Sequence, residues 1–192
     1  MASDLGATAA EVHVKAREVL GFWFDMLMPE QWFAESHGLD AEIGALFGTL
    51  RDEVLASGAA GWRGDPECLL AAVILLDQFS RNIHRGTADA FAADPLAQEL
   101  AQIALVARWD LDMAPERRQF LYMPFQHAES RELQTVSLQC FEALGLEEPL
   151  SYAADHAEVI ARFGRFPTRN AALGRESTSE EKEYLSQPGG GW

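Results

Sequence analysis

A chain of 192 residues with 48% hydrophobic and 10% aromatic side chains has the length and composition of one globular domain, which excludes a fully disordered, collagenous or coiled-coil protein. Thirty acidic residues against fifteen basic ones give a net charge of -15, a field that repels phosphate backbones and anionic lipid, so neither nucleic acid nor a membrane is an expected partner. The longest apolar stretch, Cys68 to Leu76, falls well short of the roughly eighteen residues of a membrane span. The opening Met1-Ala2-Ser3-Asp4 lacks a basic segment leading into an apolar one, which predicts a cytoplasmic protein. Cys68 and Cys140 have no Cys-x-x-Cys spacing and sit among apolar neighbours, as inert thiols do.

Apolar residues recur at helical spacing nearly throughout, and no alternating run is long enough for a strand, so the fold class is all-α with seven or eight helices. The first helix is expected over Ala10 to Leu27, with Val12, Val19, Leu20, Trp23 and Phe24 inward, before Pro29 interrupts it and Trp32 and Phe33 form a connector. A second starts after Asp40 as N-cap and carries Ile43, Leu46, Phe47, Leu50 and Val54 until Gly58 and Gly61. Asp65 and Pro66 open a third that continues to about Arg85, and Asp94 and Pro95 open a fourth to about Trp109. Pro115 opens a shorter helix that Pro124 stops near Met123. The next begins at Pro124 or Ser130 and ends at Leu144, another spans Pro149 to Phe163 before Gly164, and a last one covers Ser179 to Leu185. Thr178 and Glu181 have the spacing of a capping box. No linker divides the chain, so residues 1–186 read as one domain of antiparallel helix pairs, with a frayed tail from Gln187 to Trp192.

Lys15 and Lys182 are the only lysines; the other cations are arginines, whose planar fork suits fixed pairing with carboxylate or phosphate. The stretch from Arg162 through Arg165 and Arg169 to Arg175 holds four arginines and no acid. In the third helix the apolar half gives way to Asp77, Gln78, Arg81, Asn82, His84 and Arg85, which helical spacing gathers on one side like the wall of a polar cavity. His127 and Glu129 follow Pro124; if that proline opens a helix, its first N–H groups are available to an anion. His156 shares an apolar stripe with Tyr152, Val159, Ile160 and Phe163 and reads as a core imidazole. No His-x-x-x-His, Cys cluster, phosphate loop, dinucleotide fingerprint or nucleophile elbow is present, so no metal or cofactor is expected.

Three blocks carry a resemblance: Leu75-Leu76-Asp77-Gln78-Phe79-Ser80-Arg81-Asn82-Ile83-His84-Arg85-Gly86-Thr87, Phe120-Leu121-Tyr122-Met123-Pro124-Phe125-Gln126-His127-Ala128-Glu129-Ser130, and Ile160-Ala161-Arg162-Phe163-Gly164-Arg165-Phe166-Pro167-Thr168-Arg169-Asn170 running on to Thr178. With Val19-Leu20-Gly21-Phe22-Trp23-Phe24 and Trp32-Phe33, the chain resembles the bacterial domain-of-unknown-function family 924 along nearly its whole length. The resemblance implies a tetratricopeptide-like α-α superhelix and no reaction. The residues themselves suggest a module that binds a small anionic molecule or acidic peptide through Arg81, Arg85, Arg165 and Arg169, oriented by Asn82 and Asn170. An enzyme in the same pocket would use His127 as general acid or base, with Asp77 or Glu129 orienting it. A structural or interaction scaffold, offering its acidic exterior to a basic partner, instead predicts that each of these arginines is already saturated by an internal carboxylate.

Overall fold

In the computed structural model, residues 8–187 are described; the expected fraying of the tail falls, from residue 188 on, outside them. The Thr8 hydroxyl caps α1 (Ala9–Leu20), and the Glu11 carboxylate returns to the Thr8 amide at 2.7 Å. Beyond Leu20 the helix continues as a π-helical turn, Gly21–Met26. That wider turn changes the phase of the helix, and the adjacent side chains Phe22 and Trp23 are both buried. The expected connector contains one helical turn, α2 (Pro29–Trp32), whose Trp32 Nε1–H donates to the Trp23 carbonyl at 2.7 Å.

Helix α3 (His37–Ala56) begins one turn before the sequence expectation, because the Ser36 hydroxyl rather than Asp40 caps it. Asp40 thereby keeps its carboxylate for a distant partner. Leu46, expected inward, is 58% exposed. Asp65 and Pro66 do open α4 (Pro66–Val73), where the Asp65 carboxylate accepts the amides of Glu67 and Cys68. The rod then passes through a second π turn, Ile74–Phe79, into α5 (Ser80–Ile83). Every residue from Cys68 to Ser80 is buried, including Asp77 and Gln78.

Asp94 is the first residue of α6 (Asp94–Ala107) rather than its cap. Helix α7 (Pro115–Gln126) runs through Pro124, against the expectation that this proline ends one helix and opens another. Ser130 caps α8 (Arg131–Leu144), which Gly145 ends in the left-handed conformation; α9 (Glu147–Phe163) ends in the same way at Gly164. The Thr178–Glu181 capping box opens α10 (Ser179–Leu185) as the spacing requires.

The architecture is all-α, with no strand among the described residues. Helix α1 lies on α4, α3 lies on the second π turn and α5, and α6 joins α4 to α7. Helices α7, α8 and α9 pack in succession. Trp23 occupies the centre, edge-on to Phe79 at 5.5 Å and Phe120 at 5.4 Å. A second apolar cluster contains Val159, Ile160 and Phe166, with Phe163 and Tyr184 against it. No helix among the described residues is long and apolar enough to cross a membrane.

Candidate functional site

The polar cluster starts at Asp77, carried into the core by the second π turn and fully buried there. Its carboxylate meets the Arg81 guanidinium at 3.0 Å and His127 Nδ1 at 2.8 Å, and the Gln78 amide also donates to it. Burial opposes the charge on Asp77, but Arg81 and His127 hold its carboxyl below the usual carboxylate range. An ionised carboxylate only accepts, so Nδ1 of His127 carries the proton and, in the neutral ring, Nε2 carries the lone pair. Burial, partly offset by Asp77, lowers the His127 pKa and favours that neutral ring.

Arg81 forks onto Asp94 at 2.9 and 3.1 Å and also donates to the Asp77 carbonyl at 2.8 Å. Arg169 comes from the far end of the chain to the same Asp94 at 3.1 Å, donates to the His127 carbonyl at 2.8 Å, and places its guanidinium over Phe91 and Phe166 at 4.5 and 4.8 Å. Burial and the neighbouring Arg81 lower the Arg169 pKa to about 10, leaving it charged at neutral pH. Two guanidinium groups thus face the two carboxylates of Asp77 and Asp94.

The network continues through the segment after Gly164. Glu129 accepts both arms of Arg175 at 2.7 and 2.9 Å and the Phe166 amide at 2.8 Å. Arg165 forks onto Glu181 at 2.6 and 2.8 Å, and this pairing holds the Glu181 pKa down to about 2. Asn170 joins the two pairs: its amide donates to Glu181 and Ser177, and its oxygen accepts from Arg175 at 3.0 Å. Arg85 and Asn82 turn the other way, onto Asp40 of α3, at 2.8 to 2.9 Å.

The structure therefore brings Asp77, Arg81, His127 and Arg169 together, seats Glu129, Arg165 and Asn170 along a continuation of the same network, and separates Arg85 and Asn82 from both. The single polar wall expected of the third helix is split between α3 on one side and α6 and α7 on the other. The arginines do not stand free around a hollow; each is bonded to a carboxylate. The expected helix start at Pro124 also gives no anion site, because the His127 amide is already bonded to the Met123 carbonyl at 2.9 Å.

Sequence reasoning missed three of the acids that receive these arginines. Asp40 and Asp94 look like helix caps in sequence, and Glu181 is a capping-box member whose carboxylate also binds Arg165. The partners are far apart along the chain, so only the excess of arginine over lysine signalled that fixed pairs existed. His156 is a buried core imidazole as expected; its Nδ1 donates to the Tyr152 carbonyl at 2.7 Å, and burial lowers its pKa to about 3. A separate group, His13, Asp65 and Cys68, brings together donor types that bind transition metals.

Fold and site define an all-helical protein with a partly buried chain of ion pairs. The chain belongs to the family described as bacterial proteins of unknown function (DUF924), whose model matches residues 19–189. It is similar to the protein of unknown function ATU0120 from Agrobacterium tumefaciens: that structure is 34% identical, covers 92% of this chain and 99% of its own, and superposes with a TM-score of 0.87. No match was found among curated proteins.

Proposed function

We propose that the protein is an interaction module that offers its acidic exterior to a basic partner, and that the arginines singled out by the sequence serve the fold. One observation carries the reading: Arg81, Arg85, Arg165 and Arg169 are each bonded to an internal carboxylate, leaving the unbalanced acid outside. A small anion would have to displace Asp94 or Glu181 from a bidentate partner before gaining any bond of its own.

The surface that best fits such a partner is a cavity of about 590 Å³ between the first π turn and α3, with Phe22, Met26, Leu46 and Phe47 lining it. Met26 and Leu46 are 70% and 58% exposed, while Glu18 and Asp25 outweigh Arg17 in charge at the edge. Its occupant is an apolar side chain flanked by Lys or Arg on an amphipathic helix, since apolar lining and acidic surroundings complement that pattern.

Fluorescence anisotropy with a labelled Leu/Lys helical peptide and its Leu/Glu counterpart tests the reading. The basic peptide is expected to bind, the acidic one not, and Leu46→Glu to weaken binding at least tenfold. That substitution adds negative charge, so attraction by charge alone would tighten the complex instead. Unchanged or tighter binding to Leu46→Glu overturns the groove, and equal binding of the two peptides overturns the whole reading. A thermal shift induced by phosphate or short carboxylates and lost in Arg169→Met would restore the anion-binding alternative.

The 2.8 Å contact between Asp77 and His127 favours a second reading, an enzyme for an anionic substrate with His127 as acid or base and Arg81 or Arg169 against the substrate charge. Glu129 is committed to Arg175 and the Phe166 amide, so Asp77 is the orienting acid of that arrangement. A turnover found in a substrate screen and abolished in folded His127→Gln would select it.

A further inference from the structure

We propose that His13, Asp65 and Cys68 form a site for a divalent cation of the zinc class, joining α1 to the start of α4. One donor atom from each residue lies within 4.8 Å of the others. Imidazole nitrogen, carboxylate oxygen and thiolate sulfur are the three donor types that zinc accepts, with Zn–S near 2.3 Å and Zn–N near 2.0 Å.

The surroundings already set two of the donors. His13 Nδ1 donates to the Ala9 carbonyl at 2.6 Å, which leaves Nε2 as the ring atom turned toward Asp65. A backbone carbonyl fixing the other ring nitrogen is the outer contact that metal-binding histidines commonly use. In Asp65, Oδ1 receives the amides of Glu67 and Cys68, leaving Oδ2 facing His13 Nε2 at 3.7 Å. A proton on Nε2 would make this contact an ion pair, and a metal ion can take that proton's place between the same two atoms.

Cys68 lies beneath, nearly fully buried, on the first turn of α4. Burial and Asp65 keep the thiol protonated in the free protein, raising its pKa to about 11. On binding, the thiol proton leaves to solvent and the thiolate and Asp65 together balance the two positive charges of the ion. Tetrahedral bond lengths require donors about 3.5 Å apart, so closure asks roughly 1 Å of movement. The His13 side chain, 52% exposed, is free to make it. Three protein donors leave the fourth position of the ion to water.

Cobalt(II) titration of the full-length protein reads this site directly. The expected result is a thiolate-to-cobalt absorption in the near-ultraviolet that saturates at one ion per chain, is retained in Cys140→Ser, is lost in Cys68→Ala and needs at least tenfold more cobalt in His13→Ala. His13 is at the surface, so its variant keeps the test decisive even if Cys68→Ala fails to fold. Zinc should raise the melting temperature of the parent protein and leave that of His13→Ala unmoved. Absence of the thiolate band, its loss in Cys140→Ser, or an unchanged titration of His13→Ala overturns the site.

Discussion

Two parts of this molecule are held by different forces. From α1 into the first half of α9, aromatic and aliphatic side chains pack into one continuous core around Trp23, Phe79 and Phe120. From the end of α9 onward the apolar cluster is small, and the segment is fastened to the body by Arg169–Asp94 and Arg175–Glu129, while Arg165–Glu181 braces it internally. Apolar packing tolerates substitutions that preserve volume, whereas a buried ion pair fails when one partner is removed because the other remains as uncompensated charge. The segment most like a ligand site in sequence is, in space, a strap.

The largest loss of stability is expected in the core. Phe79→Ala removes a fully buried ring from contact with Phe22, Trp23 and Phe47, and should cost about 3–5 kcal/mol in urea unfolding. Asp94→Ala deprives both Arg81 and Arg169 of their shared acceptor and should approach the same loss, about 3–5 kcal/mol, with the C-terminal segment exposed first to limited proteolysis. If Asp94→Ala unfolds no more readily than a surface substitution, the strap is not held by its ions.

Acid sharpens the contrast further. His156 has a folded-state pKa near 3 against about 6.5 when unfolded, so between those values the unfolded chain takes up a proton that the folded one refuses. Stability should therefore fall as the pH drops below about 6.5, the His156 contribution being exhausted near 3. Glu181, held to about 2 by Arg165, adds stability present above about 4.5 and lost as the pH falls toward 2. An acid titration followed by circular dichroism checks the order, and His156→Leu should flatten its upper part. The smallest effect is local: Thr178→Ala removes the cap of α10 and should cost about 1 kcal/mol, seen as faster amide exchange in α10 alone.

The same division decided what could be read from the sequence. Helix class, the Asp65-Pro66 start, the glycine end at Gly164 and the Thr178–Glu181 box depend on neighbours a few residues apart, and they stood in the sequence as they stand in space. Pro124 misled because the bias before proline is a tendency that α7 overrides for two further residues. Asp40 and Asp94 misled because an acid before an apolar run looks like a cap, while their carboxylates serve Arg85, Arg81 and Arg169. The π turns at Gly21–Met26 and Ile74–Phe79 shift the helical phase, which a fixed 100° step does not anticipate. His13 had no partner at any metal-binding spacing because Asp65 and Cys68 lie on another helix.

The most direct measurement is hydrogen exchange of Arg169→Met beside the parent protein, read for residues 163–185 and for the buried rod 69–79. Removal of Arg169 leaves Asp94 with one guanidinium and the His127 carbonyl without its donor, so protection should collapse in 163–185 and persist in 69–79. Protection identical to the parent in both stretches, with an unchanged melting temperature, would mean that Arg169 does not hold the segment and would contradict the account.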